Sequence, residues 1–138
     1  MYFMKQFKRG EQILIIDDDE SSRFLTRKIL EGAGYVVSES ESVITGLEKA
    51  LRDSPHLILL DLIMSNISGF EFFDMKKKYG GLAKTPVIVM SALKDKRSVY
   101  RAISLGAVDY LTKPIEARTV LKKTLKLFHR RSFQEVTF

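Results

Sequence analysis

Cysteine is absent from the 138 residues, and histidine occurs only twice, as His56 and His129. The first absence excludes disulfides and thiolate metal sites, and the second excludes a histidine-rich metal centre. No apolar run approaches the roughly 20 residues a membrane span needs, so no membrane partner is expected. The opening stretch, Met-Tyr-Phe-Met-Lys-Gln-Phe-Lys-Arg, carries charge but no apolar segment of signal-peptide length, which argues against export and for a cytoplasmic location. Only three prolines punctuate the chain, at Pro55, Pro86 and Pro114. No low-complexity linker, internal repeat or second-domain boundary is visible.

What is present fits one globular domain with a sizeable core: 45% of residues are hydrophobic and 29% charged, within the ordinary range for compact proteins. The net charge of +6 raises a nucleic-acid reading, but much of the excess sits in Lys5, Lys8 and Arg9 at one end and in Lys122, Lys123, Lys126, Arg130 and Arg131 at the other. A solvated helix face and charged termini account for it. There is no helix-turn-helix or zinc-finger spacing, so no direct nucleic-acid partner is expected.

Five short apolar runs read as strands: Gln12–Ile16, Tyr35–Ser38, Leu57–Leu60, Val87–Met90 and Ala107–Leu111. They are continuous more than alternating, as in strands covered on both faces. Between them, Leu25, Ile29, Leu30 and Ala33 recur at helical spacing, as do Phe72, Met75 and Tyr79, and later Ala117, Leu121, Leu125 and Phe128. Glycines punctuate the helix ends at Gly32 and Gly34, Gly80-Gly81 and Gly106, and the prolines fall at strand boundaries. Strand–helix alternation with short connections predicts right-handed βαβ units and a parallel α/β sheet with helices on both faces.

Polar residues with chemistry collect where those strands should end. Asp17 and Asp18 follow the first run, Asp61 the third and Ser91 the fourth, and Lys113 lies just past the fifth. Ligands of open parallel sheets bind outside the carboxyl ends of the strands, so these scattered residues read as one site. Asp19 and Glu20 have a plainer reading as acids in the first turn of a helix. Asp61 does not: an acid between Leu60 and Leu62 at the end of a buried strand carries a desolvation cost unless something compensates it. Clustered carboxylates also repel one another unless a cation binds, and magnesium suits carboxylate and carbonyl oxygens, usually alongside a phosphate. Lys113 supplies a point charge for a phosphoryl oxygen, and the Ser91 hydroxyl can donate to one, with the small Ala92 leaving the approach open. A carboxylate nucleophile flanked by metal and lysine is most of what phosphoryl transfer requires.

At this level the chain resembles a response-regulator receiver domain of the two-component systems, over roughly residues 11–130. The resemblance rests on four stretches in order: Ile-Leu-Ile-Ile-Asp17-Asp18-Asp19-Glu, Leu-Ile-Leu-Leu-Asp61-Leu-Ile-Met-Ser-Asn-Ile-Ser-Gly69, Val-Ile-Val-Met-Ser91-Ala92, and Gly106-Ala-Val-Asp-Tyr110-Leu-Thr-Lys113-Pro114. It implies a doubly wound, flavodoxin-like fold with five strands in the order 2-1-3-4-5 and five helices. The receiver would occupy residues 11–131, after an extension at 1–10 and before a tail at 132–138.

The resemblance implies that Asp61 accepts a phosphoryl group from a histidine kinase or histidine phosphotransfer protein. Magnesium, or manganese, would be held by Asp18, Asp61 and the backbone carbonyl of Ile63, with Asp17 acting through water. Lys113 and Ser91 would contact the phosphoryl oxygens, and the peptide before Pro114 is a cis candidate. Ser91 and Tyr110 would form the switch, and the face of the fourth helix, fifth strand and fifth helix would meet a downstream protein or, in a phosphorylation-dependent homodimer, a second copy. Tyr110 has a plainer reading as a half-buried strand aromatic. On this reading the chain is an autocatalytic phosphoacceptor rather than an enzyme.

The sequence departs from the family in one visible way. Ser65 stands where receivers usually carry proline, which is expected to loosen the loop after Asp61. Ile63 and Leu93 occupy the two positions that tune acyl-phosphate lifetime; both are apolar, neither can hold a hydrolytic water by hydrogen bonding, and slow self-dephosphorylation is expected. No effector domain follows within these residues, which fits either a stand-alone receiver or a piece of a larger regulator. Two competing functions are a receiver-like interaction module that is never phosphorylated and a haloacid-dehalogenase-type phosphatase using Asp17. The first usually lacks one of the acids or the lysine, all present here. The second leaves Asp61 without a role and would place the phosphoryl group on Asp17.

Overall fold

The structure is a computed structural model that describes residues 10–136. Strands β1 (Gln12–Ile16), β2 (Val36–Ser40), β3 (Leu57–Asp61), β4 (Val87–Ser91) and β5 (Asp109–Thr112) form one parallel sheet in the order β2-β1-β3-β4-β5. Helices α1 (Glu20–Gly32), α2 (Val43–Asp53), α3 (Gly69–Lys77), α4 (Lys96–Leu105) and α5 (Ala117–Val136) alternate with the strands, and a 3-10 turn spans Gly80–Leu82. This is the doubly wound, flavodoxin-like arrangement.

Successive strand residues point to opposite faces, and the three central strands use that period fully. Leu14, Ile16, Ile58, Leu60, Val87 and Val89 pack one way, against Val43, Leu47, Phe72, Phe73 and Ala102 from α2, α3 and α4. Ile13, Ile15, Leu57, Leu59, Ile88 and Met90 pack the other way, against Leu30, Val120 and Phe128 from α1 and α5. Both faces being covered explains why the strands read as unbroken apolar runs. The first four helices open on side-chain caps: Asp19 accepts from Ser22 N–H, Ser42 from Thr45, Ser68 from Phe70 and Asp95 from Ser98, each satisfying a donor the helix leaves open.

Several local expectations shift. β3 and β4 each extend one residue further, so Asp61 and Ser91 are the last members of their strands. β2 begins at Val36 and β5 at Asp109. Ladder hydrogen bonds are made by the backbone, and a polar side chain does not end them. On α1 the buried residues are Thr26 and Leu30, with Ile29 and Ala33 packed against the same core, while Leu25 is exposed. On α5 they are Val120, Thr124 and Phe128, while Leu125 is exposed. Tyr79 lies beyond α3 and is exposed. Gly80 and Gly81 form the 3-10 turn. Helical backbone continues past residue 131 to Val136, so the stretch expected as a tail from 132 begins inside α5. The extension expected at 1–10 lies, apart from Gly10, outside the described residues, as do Lys5, Lys8 and Arg9.

Candidate functional site

Register brings the acids together. Ile16 on β1 is level with Leu60 on β3, so the next residues, Asp17 and Asp61, leave adjacent strands side by side, each continuing the parity that faces α1 and α5. Asp61 is in turn level with Met90 on β4, and Ser91 with Thr112 on β5. Lys113 is therefore the first residue past the sheet on its far side, fixed by its N–H to the Ser91 carbonyl at 2.9 Å. The chain winds outward in opposite directions from β1 and β3, and the connections diverge there, which opens the crevice.

The Lys113 ammonium spans that crevice. It donates to Asp17 Oδ2 at 2.7 Å and to Asp61 Oδ2 at 3.0 Å. Asp17 is wholly buried, Asp61 is 5% exposed, and the lysine side chain is 18% exposed. Asp17 Oδ1 accepts from Asp19 N–H and Asp61 Oδ1 from Ile63 N–H, so both carboxylates are gripped at both oxygens. Burial, opposed by Lys113 and reinforced by Asp17, pushes the Asp61 carboxyl up to about 6. Burial works against the Lys113 charge, yet Asp17 and Asp61 outweigh it and hold the ammonium above the usual lysine range.

One carboxylate oxygen from each of Asp17, Asp18 and Asp61 lies within 4.8 Å of the others. In an octahedral magnesium site with bonds of about 2.1 Å, neighbouring ligand oxygens stand about 3.0 Å apart and opposite ones about 4.2 Å, so a bound ion would draw these carboxylates closer together. Three carboxylates against one ammonium leave two negative charges, which a divalent cation balances. The donors are hard oxygens only. By charge, donor type and spacing, the group fits magnesium or manganese.

The loops framing the crevice are held by contacts that sequence reasoning passed over. Gly69 starts α3 so close under β3 that an added Cβ would stand 2.1 Å from the Asp61 carbonyl oxygen. Glycine is therefore required there, and its N–H donates to the Leu62 carbonyl. Gly46 likewise lets α2 approach Ile16. Arg23 on α1 donates to the Asp17 carbonyl at 2.8 Å and to Glu39 on β2 at 3.1 Å, bracing the acidic loop; no local spacing signals a pair sixteen residues apart. Ser65 N–H donates to Asp18 Oδ2 at 2.8 Å. Proline has no such donor, so the serine ties this loop down, contrary to the expected loosening.

The remaining expected site residues fall around the same crevice. Ser91 is buried, and its Oγ accepts from Leu93 N–H. Tyr110 is half-buried, and its hydroxyl donates to the Leu93 carbonyl at 2.7 Å; burial pushes its phenol up. Ile63 is 51% exposed, and the Lys113–Pro114 peptide is cis. Asp19 is the N-cap of α1 and Glu20 is exposed in its first turn, so neither joins the cluster.

A family model described as the response regulator receiver domain matches residues 13–125. The chain belongs to that family. This receiver is 34% identical over 119 residues to the DNA-binding dual master transcriptional regulator RpaA of Synechocystis, covering 86% of this chain and 49% of that protein. It is 30% identical over 111 residues to protein PilH of Pseudomonas aeruginosa, covering 80% of this chain and 92% of PilH. The receiver thus spans about half the length of RpaA and nearly all of PilH. Among solved structures it resembles chemotaxis protein CheY4 of Vibrio cholerae, with a TM-score of 0.80 and 26% identity over 85% of this chain and 98% of that one. Among the described residues, no helix is long and apolar enough to cross a membrane.

Proposed function

We propose that this receiver takes a phosphoryl group onto Asp61 from a phosphohistidine on a histidine kinase or histidine phosphotransfer protein. The observation that carries the reading is Lys113 Nζ within hydrogen-bond reach of both Asp17 and Asp61, beside a carboxylate set that fits a divalent cation. An Asp61 oxygen attacks phosphorus, the donor's N–P bond breaks, and the imidazole leaves with that electron pair, giving an acyl phosphate. Asp17, Asp18, Asp61 and the Ile63 carbonyl would hold magnesium or manganese, which supplies positive charge for the oxygens of the transferred group. Lys113 turns from the carboxylate toward a phosphoryl oxygen, and Ser91 donates to another.

The response begins at Ser91. Its Oγ now accepts from Leu93 N–H, and Tyr110 holds the Leu93 carbonyl, so a serine that moves toward the phosphoryl group perturbs the segment the tyrosine restrains. That links the crevice to the face of α4, β5 and α5, where a downstream protein or a second copy would dock. Tyr100 and Ile103 on α4 and Val108 before β5 are exposed. Ile63 and Leu93 are both apolar and cannot hold a hydrolytic water by hydrogen bonding, so the phosphorylated form decays slowly; decay within seconds in buffered magnesium would contradict this.

The test is intact-mass measurement after incubation with magnesium and a small phosphodonor. The native chain gains one phosphoryl group, while Asp61→Asn and the magnesium-free native chain gain none. A label on Asp17 would favour the phosphatase reading, and a native chain that is never labelled would favour the unphosphorylated interaction module.

A further inference from the structure

The loop between β3 and α3 touches two of the three clustered acids through alternate backbone amides. Ile63 N–H donates to Asp61 Oδ1 at 3.1 Å and Ser65 N–H to Asp18 Oδ2 at 2.8 Å. At its far end the loop is closed on itself, because Ser68 Oγ and Gly69 N–H both donate to the Leu62 carbonyl. Asp18 differs from its neighbours in the cluster. Asp17 and Asp61 are buried and share Lys113, whereas Asp18 is only part-buried, and its contact with Ser65 spans 47 residues of sequence. A carboxylate offers about four acceptor positions, so one N–H leaves room for a cation while removing rotational freedom that binding would otherwise have to restrict.

We propose that the Ser65 backbone N–H is a positioning donor that presets Asp18 for a divalent cation and couples the β3–α3 loop to occupancy of the site. This rests on the reading of Asp17, Asp18 and Asp61 as the magnesium-binding set. Hydrogen-bonded partners of metal-ligating carboxylates typically govern affinity by 10–100-fold, and here the partner is a main-chain group that only a non-proline residue supplies. The serine hydroxyl has no part in it. The contact also makes the loop carrying Ile63 move with Asp18, so the two sides of the crevice adjust to a cation together.

Calorimetric titration of magnesium into the full chain tests this with no phosphoryl transfer involved. Ser65→Pro, which removes the N–H, should weaken magnesium about tenfold, whereas Ser65→Ala, which keeps it, should restore the native affinity. Equal affinity in the native chain and in Ser65→Pro overturns the proposal; a native chain that takes up no magnesium overturns instead the reading on which it rests. Amide hydrogen exchange on the native chain gives an answer that does not depend on the proline variant folding. The Ser65 amide should be protected without magnesium and remain protected when it is added. An unprotected amide, or protection lost on adding magnesium, contradicts the assignment.

Discussion

Strand β5 has a lysine–aspartate contact at each end, and both measure 2.7 Å. At its start, Lys123 meets Asp109, with side chains 30% and 35% exposed. That is one cation for one anion, at a surface where water screens both. Just past its other end, Lys113 meets Asp17 and shares itself with Asp61 in surroundings that exclude most water. Distance alone does not separate the two contacts. Burial and stoichiometry do: the first is balanced, and the second lacks positive charge. A sheet end with buried acids and too little compensation is costly to fold, and on the proposed function that same imbalance is what would draw a cation to the crevice.

The widest separation between the two ends should come from removing each lysine in turn. Lys113→Ala leaves two buried carboxylates with no cation, and in metal-free buffer near neutral pH it should cost about 3 kcal/mol of stability by urea unfolding, the usual scale for breaking a buried pair. Magnesium should return part of that loss. If Lys113→Ala costs no more than a surface pair, the contrast is broken.

Replacing the acid should act in the opposite direction. Burial lifts the Asp61 carboxyl to about 6 in the folded chain, against 3.8 for the free side chain, so the folded state binds more protons between those limits. The contribution of this group to stability is therefore full below about 4, falls as pH rises through 6, and is constant above. Asp61→Asn removes that penalty and should raise metal-free stability near pH 7.5 by about 1–2 kcal/mol, after allowance for solvent reaching the crevice mouth. The gain should fade as the pH is lowered toward 4. A variant less stable than the native chain at pH 7.5 would show that Lys113 already compensates the acid fully.

Lys123→Ala should change stability by less than about 1 kcal/mol, with no response to magnesium. A larger loss would mean that the exposed pair is as consequential as the buried one.

The sequence carried much of this arrangement, because the signals for strands and for their polar ends are local. Four hydrophobic residues followed by Asp61 describe a buried strand and its exit. What stayed hidden depended on hydrogen bonds that no spacing reveals. The inward faces of α1 and α5 follow the expected Ile29, Leu30, Ala33, Leu121 and Phe128, but they also include Thr26 and Thr124, which look polar yet donate their hydroxyls to the Ser22 and Leu121 carbonyls of their own helices and so bury without an unmet donor. Leu25 and Leu125, the apolar alternatives, face outward. The bracing of the acidic loop by Arg23 and the tie from Ser65 to Asp18 escaped for a related reason: each involves a backbone atom, and although Ser65 in place of proline marks an available donor, no residue type names the acceptor it reaches. Gly69 was visible as a residue, but its purpose became clear only from the closeness of α3 to the Asp61 carbonyl.

The most direct test of the charge imbalance is a carboxyl-carbon NMR titration of Asp61, without and with saturating magnesium. The account predicts a midpoint near 6 in the metal-free chain and a clear downward move when the cation binds. A midpoint at the ordinary aspartate value that magnesium leaves unchanged would contradict it.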